Sequence, residues 1–106
     1  MEKTIIYDRN EIKSYKDFYE KLYNDLEGST IPYWSDEQCK YLGYSADILD
    51  EFLWYCHDDK NHFILRNFDL EKIKQQKTYD DYKINLIIEV LIDFTKKFPN
   101  NKLTIE

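Results

Sequence analysis

The chain has 106 residues and little of what marks a specialised class: two cysteines, two glycines, two prolines and two histidines. So few glycines and prolines argue against flexible linkers and low-complexity tracts. No stretch approaches the roughly 20 apolar residues of a membrane span. The opening Met1-Glu2-Lys3-Thr4 meets charge before the apolar core of an export signal can form. The expectation is a cytoplasmic protein with no membrane association, in which Cys39 and Cys56 stay reduced. An excess of positive charge is also missing. Against 15 Lys and Arg stand 21 Asp and Glu, for a net charge of -6. Direct nucleic-acid binding needs a basic surface, so it is not expected here.

What the chain does have is negative charge in one place. Glu27 to Asp59 holds eight acids (Glu27, Asp36, Glu37, Asp47, Asp50, Glu51, Asp58, Asp59) and one base, Lys40, a local net of -7. The rest of the chain therefore sums to +1. The same third carries seven aromatics: Tyr33, Trp34, Tyr41, Tyr44, Phe52, Trp54 and Tyr55. Acids steer a cationic partner from a distance, and aromatics supply contact area once it has docked. A solvated acidic face that only aids solubility is the plainer reading of a charge run, and the interleaved aromatics weigh against it.

Spacing sharpens the point. Asp47, Asp50, Glu51 and Trp54 stand at i, i+3, i+4 and i+7, so a helix places all four on one face. Ala46, Leu49, Phe52, Leu53 and Cys56 fall opposite and pack inward. Three like charges ending in an exposed indole repel one another and leave the ring in water. The arrangement makes sense if something basic docks there.

The length allows one domain over residues 1–106. Thr4–Tyr7, His62–Arg66 and Leu103–Ile105 read as short strands. Helices are expected from Ser14, with Asp17 as its capping partner, to about Leu26; from Ser45 to about Cys56; over Phe68–Lys77; and from Thr78, capped toward Asp81, to about Phe98. A short helical turn is expected between Ser35 and Gly43. The order β-α-(α)-α-β-α-α-β requires crossovers, hence a small three-stranded parallel sheet with about four helices in a two-layer α/β fold.

Three segments resemble the barstar family, small intracellular inhibitors of secreted bacterial ribonucleases. Ile12-Lys13-Ser14-Tyr15-Lys16-Asp17-Phe18, followed by Leu22 and Leu26, is similar to that family's first-helix entry. Gly43-Tyr44-Ser45-Ala46-Asp47-Ile48-Leu49-Asp50-Glu51-Phe52-Leu53 resembles its core motif, roughly Gly-x-Asn-Leu-Asp-Ala-Leu-Trp-Asp-x-Leu. Leu103-Thr104-Ile105 matches its terminal strand. The resemblance implies a barstar-like fold in which Asp47 and Glu51 enter a ribonuclease active site and Tyr41 packs against the enzyme. The toxin-binding set is then Tyr41, Tyr44, Asp47, Asp50, Glu51 and Trp54. The implied partner is a secreted or contact-delivered ribonuclease toxin held as a 1:1 complex, with no catalysis, cofactor, metal or small-molecule ligand.

The departures from the family pattern are specific. Asp50 replaces the motif tryptophan, while Trp54 appears one turn later. Glu51 stands where Asp is usual, and Ile31 to Lys40 reads as an insertion. The family's acidic contact from the last helix aligns with Thr95 or Lys96, with Asp93 nearby. A different toxin from that of the family's namesake is therefore expected.

Two other classes compete. His57-Asp58-Asp59 could be an acid/base or metal cluster, but adjacent side chains diverge and no second His motif lies close by. Cys39 and Cys56 lack a basic neighbour that would activate a thiol. The remaining alternative is an acidic interaction module or nucleic-acid mimic aimed at a non-ribonuclease toxin or another basic protein. Lys72, Lys74 and Lys77 read as a solvated helix face.

Overall fold

The computed structural model describes residues 2–26 and 46–106, the Ile48 side chain apart. The elements run β1 (Glu2–Asp8), α1 (Tyr15–Asp25), α2 (Ala46–Trp54), β2 (Lys60–Arg66), α3 (Leu70–Lys74), α4 (Tyr79–Lys97) and β3 (Lys102–Ile105). The strands form one parallel sheet in the order β1-β2-β3. This is the small two-layer α/β fold expected from the element order.

Register follows the alternation of side chains. Ile5 pairs with Phe63 and Tyr7 with Leu65, and Phe63 pairs in turn with Leu103. These residues point to the helix side, where Ile5, Tyr7, Phe63 and Leu65 are buried. The opposite face carries Thr4, Ile6, His62, Ile64 and Thr104 and is covered by none of the described helices, with Ile6 43% exposed. Parallel sheets are usually covered on both faces. Here the outer face offsets its exposure with polar pairs across the strands. His62 Nε2 hydrogen-bonds Thr104 Oγ1 at 2.7 Å, and Arg66 Nε donates to Glu106 at 2.8 Å.

Helix starts follow their caps. Ser14 Oγ accepts from Asp17 N, and Thr78 Oγ1 accepts from Asp81 N at 3.0 Å. The short helix expected over Phe68–Lys77 spans only Leu70–Lys74, with Asp69 as its N-cap, accepting from Lys72 N, and Gln75 as its C-cap. Asp80, in the first turn of α4, also accepts from Tyr15 N at 2.7 Å, so one carboxylate joins the starts of two helices. The core gathers Phe18, Leu22, Leu49, Phe52, Leu53, Ile84, Ile87 and Leu91 over the sheet. Among the described residues no helix is long and apolar enough to cross a membrane.

Candidate functional site

Helix α2 divides as its spacing requires except at Ala46, which was expected to pack inward but, in the first turn, is only half-buried and lines the hollows beside Asp47. Leu49, Phe52, Leu53 and Cys56 are buried, and Asp47, Asp50, Glu51 and Trp54 are exposed. The buried row is what makes the acidic row rigid. Tyr23 stacks on Phe52 at 5.6 Å between centroids, and Leu53 is 0% exposed. The last turn tightens beyond Trp54, with Tyr55 N donating to Phe52 O and Cys56 N to Leu53 O. The helix therefore stops two residues earlier than periodicity alone suggested.

Alongside α2 lies α4, and the two enclose a groove. Its middle is a hollow of about 560 Å³ lined by Asp47 and Asp50 from α2 and by Val90, Asp93, Lys96 and Lys97 from α4. It continues into a cleft of about 360 Å³ between Asp50, Glu51, Trp54 and Tyr55 on one side and Asp93, Phe94, Lys97 and Phe98 on the other. Among the described residues, none of Asp47, Asp50, Glu51 and Asp93 makes an ion pair or hydrogen bond through its carboxylate, and neither Lys96 nor Lys97 has an ion-pair partner. Charges of both signs thus line one trough without cancelling pairwise. Unpaired carboxylates on a fixed helix are suited to charge-assisted bonds with arginine or lysine of a docked protein.

The Trp54 end is organised by rings. Trp54 is 55% exposed, yet its indole stacks on His57 at 4.9 Å between centroids, and His57 leans on Phe98 at 5.0 Å. His57 Nδ1 donates to the Trp54 carbonyl at 2.6 Å. The loop holding His57 is anchored in turn by Asn101, whose Nδ2 donates to the His57 carbonyl and whose Oδ1 accepts from Asn61 N and Nδ2. An exposed ring held in place in this way loses little side-chain freedom on binding. His57 is thereby a supporting residue for Trp54. Among the described residues no group of three or more His, Cys, Asp or Glu side chains converges as a metal site would.

Of the residues singled out from sequence, Asp47, Asp50, Glu51 and Trp54 come together on the groove. Tyr41, Tyr44, Cys39 and the Ile31–Lys40 insertion lie outside the described residues. For the acidic position on the last helix, Thr95 is spent on its own helix, its Oγ1 donating to Leu91 O and Ile92 O. Asp93 is the acid that shares both hollows with Asp50, and Lys96 adjoins it. The sequence pointed to Tyr55 only as one aromatic of the acidic third and to His57 only as an acid/base or metal candidate, and it did not single out Lys97. The spacing of Leu86, Val90, Asp93 and Lys97 marks one face of α4, and that was the available signal. No protein-family model matches this chain, and no curated protein or solved structure was found to be similar to it.

Proposed function

We propose that this chain is a cytoplasmic inhibitor, an immunity protein or antitoxin, of a bacterial ribonuclease, and that it acts by plugging the enzyme's active site with the acidic ridge of α2. A ribonuclease cleft concentrates Arg, Lys and His to stabilise phosphate charge. Asp47 and Glu51 stand in for successive RNA phosphates, Asp50 and Asp93 add negative field, and Trp54 provides the apolar anchor. Binding excludes RNA without any chemistry by the inhibitor. Complementary charge makes capture fast and dependent on salt. The observation that carries this reading is a row of exposed carboxylates, without ion pairs among the described residues, on a helix that buries Leu49, Phe52 and Leu53 behind them. The motif resemblance and the matching order of elements add to it.

The experiment is a pull-down with catalytically inactivated candidate ribonucleases, followed by RNA-cleavage assays at equimolar inhibitor. Full inhibition by the wild type and its loss in Asp47→Ala/Glu51→Ala supports the proposal. A complex in which the ridge faces solvent while another surface grips the target defeats it. Capture of a basic protein that cleaves no RNA points instead to a general acidic interaction module.

A further inference from the structure

At its N-terminal end the groove opens into a third hollow of about 400 Å³, lined by Asp47, Tyr79, Tyr82, Lys83 and Leu86. Lys83 is the unusual member, because its side chain is largely buried and only 9% of the residue is exposed. Its described neighbour is the Tyr15 ring, with Nζ 5.6 Å from the centroid. A ring face attracts a cation but does not neutralise it. Among the described residues Lys83 has no hydrogen bond and no carboxylate within ion-pair distance, Asp47 included. Burial accordingly pulls its pKa below the ordinary lysine value.

A buried, unpaired ammonium is costly unless something anionic completes it. The hollow has room for such a group, and it has donors to share in holding it. Tyr79 and Tyr82 are 64% and 42% exposed, and among the described residues neither phenol hydroxyl is hydrogen-bonded. Their rings pack at 6.1 Å, and Tyr79 meets Tyr15 edge-on at 5.6 Å, so this wall is already assembled. Asp80 steadies it from behind, bonding Tyr15 N and pairing with Arg9.

We infer that this hollow is an oxyanion-binding site in which Lys83 pairs with a carboxylate or phosphate group and the hydroxyls of Tyr79 and Tyr82 assist. The site stands independently of the ribonuclease reading. Should that reading hold as well, the partner must offer an anion to Lys83 beside the cation it offers to Asp47, and this gives the groove a direction.

The test is NMR of lysine-labelled wild-type protein titrated with sodium phosphate and, separately, sodium acetate at constant ionic strength. The expected result is a saturable shift of the Lys83 Cε resonance at millimolar anion, with Lys72 and Lys74 unmoved. Tighter binding of phosphate assigns the natural group as a phosphate, and tighter binding of acetate assigns a carboxylate. Asp47→Asn should strengthen anion binding severalfold by removing a like charge, whereas the same substitution weakens ribonuclease binding. The two readings therefore fail separately. The site is overturned if Lys83 responds no differently from Lys72 and Lys74, or if Lys83→Met retains the saturable binding in its remaining resonances.

Discussion

Two exposed surfaces of this molecule treat charge in opposite ways. On the outer face of the sheet, Arg66 pairs with Glu106, and His62 sits between Glu2 and Thr104. Asp8 there accepts from Asn67 Nδ2 and Asn10 N. In the groove between α2 and α4, Asp47, Asp50, Glu51, Asp93, Lys96 and Lys97 stand close together with no ion pairs among the described residues. The sheet face pairs its charges within the molecule, whereas the groove leaves its charges available to a second molecule. Unpaired groups on a rigid scaffold are the ones available to a second molecule.

The largest expected effect lies in the groove. Under the proposed function, Asp47→Ala and Glu51→Ala should each weaken binding to a ribonuclease target by about 2 kcal/mol or more, with thermal melting unchanged or slightly raised by relief of repulsion. Wild-type affinity in both variants, measured by titration calorimetry, would remove the contrast between the two surfaces. Trp54→Ala should follow, at about 2 kcal/mol of binding, with little change in folding stability because the ring is more than half exposed.

Lys83→Met should raise stability by about 1 kcal/mol in chemical denaturation, since it replaces a buried charge that has no ion-pair partner among the described residues by an apolar chain of similar length. The pH dependence agrees in sign. A lysine whose folded pKa lies below its unfolded value penalises folding at neutral pH, and the penalty lifts as pH rises from the folded value toward the ordinary lysine range. Wild-type stability should therefore gain from this group on the alkaline side, and the Lys83→Met variant should lack the gain.

The smallest effects belong to the sheet face. Arg66→Ala should change stability only marginally, as the loss of an exposed ion pair does. Hydrogen bonds from Asn67 and Asn10 hold the Asp8 carboxyl below the usual carboxylate range. Its contribution to stability is present above the unfolded value and is lost as pH falls through the folded one. Asp8→Asn should flatten that acid limb. A large loss of ribonuclease binding in either sheet variant would show that the partner reaches this face too.

Much of the fold was legible along the chain, because helix and strand periods, caps and crossovers are local signals. Thr78 and Ser14 announced their helices, and both cap as their side chains allow. The acidic ridge was equally legible, since i, i+3, i+4 and i+7 share a face in any helix. What stayed hidden was the other wall. Asp93 stands 43 positions after Asp50 and Lys83 stands 36 after Asp47, and no pattern of short range joins them. The role of His57 was hidden for the same reason, since Asn101 and Phe98 hold it from the end of α4.

By itself, then, the order of residues determined the elements, the parallel sheet and the apolar and acidic faces of α2, because each follows from backbone geometry over a few residues. Only the tertiary structure decided that α4 would lie beside that acidic face. It brings one further carboxylate and three lysines into the same groove, because helix packing is settled by the shape of a core assembled from distant parts of the chain.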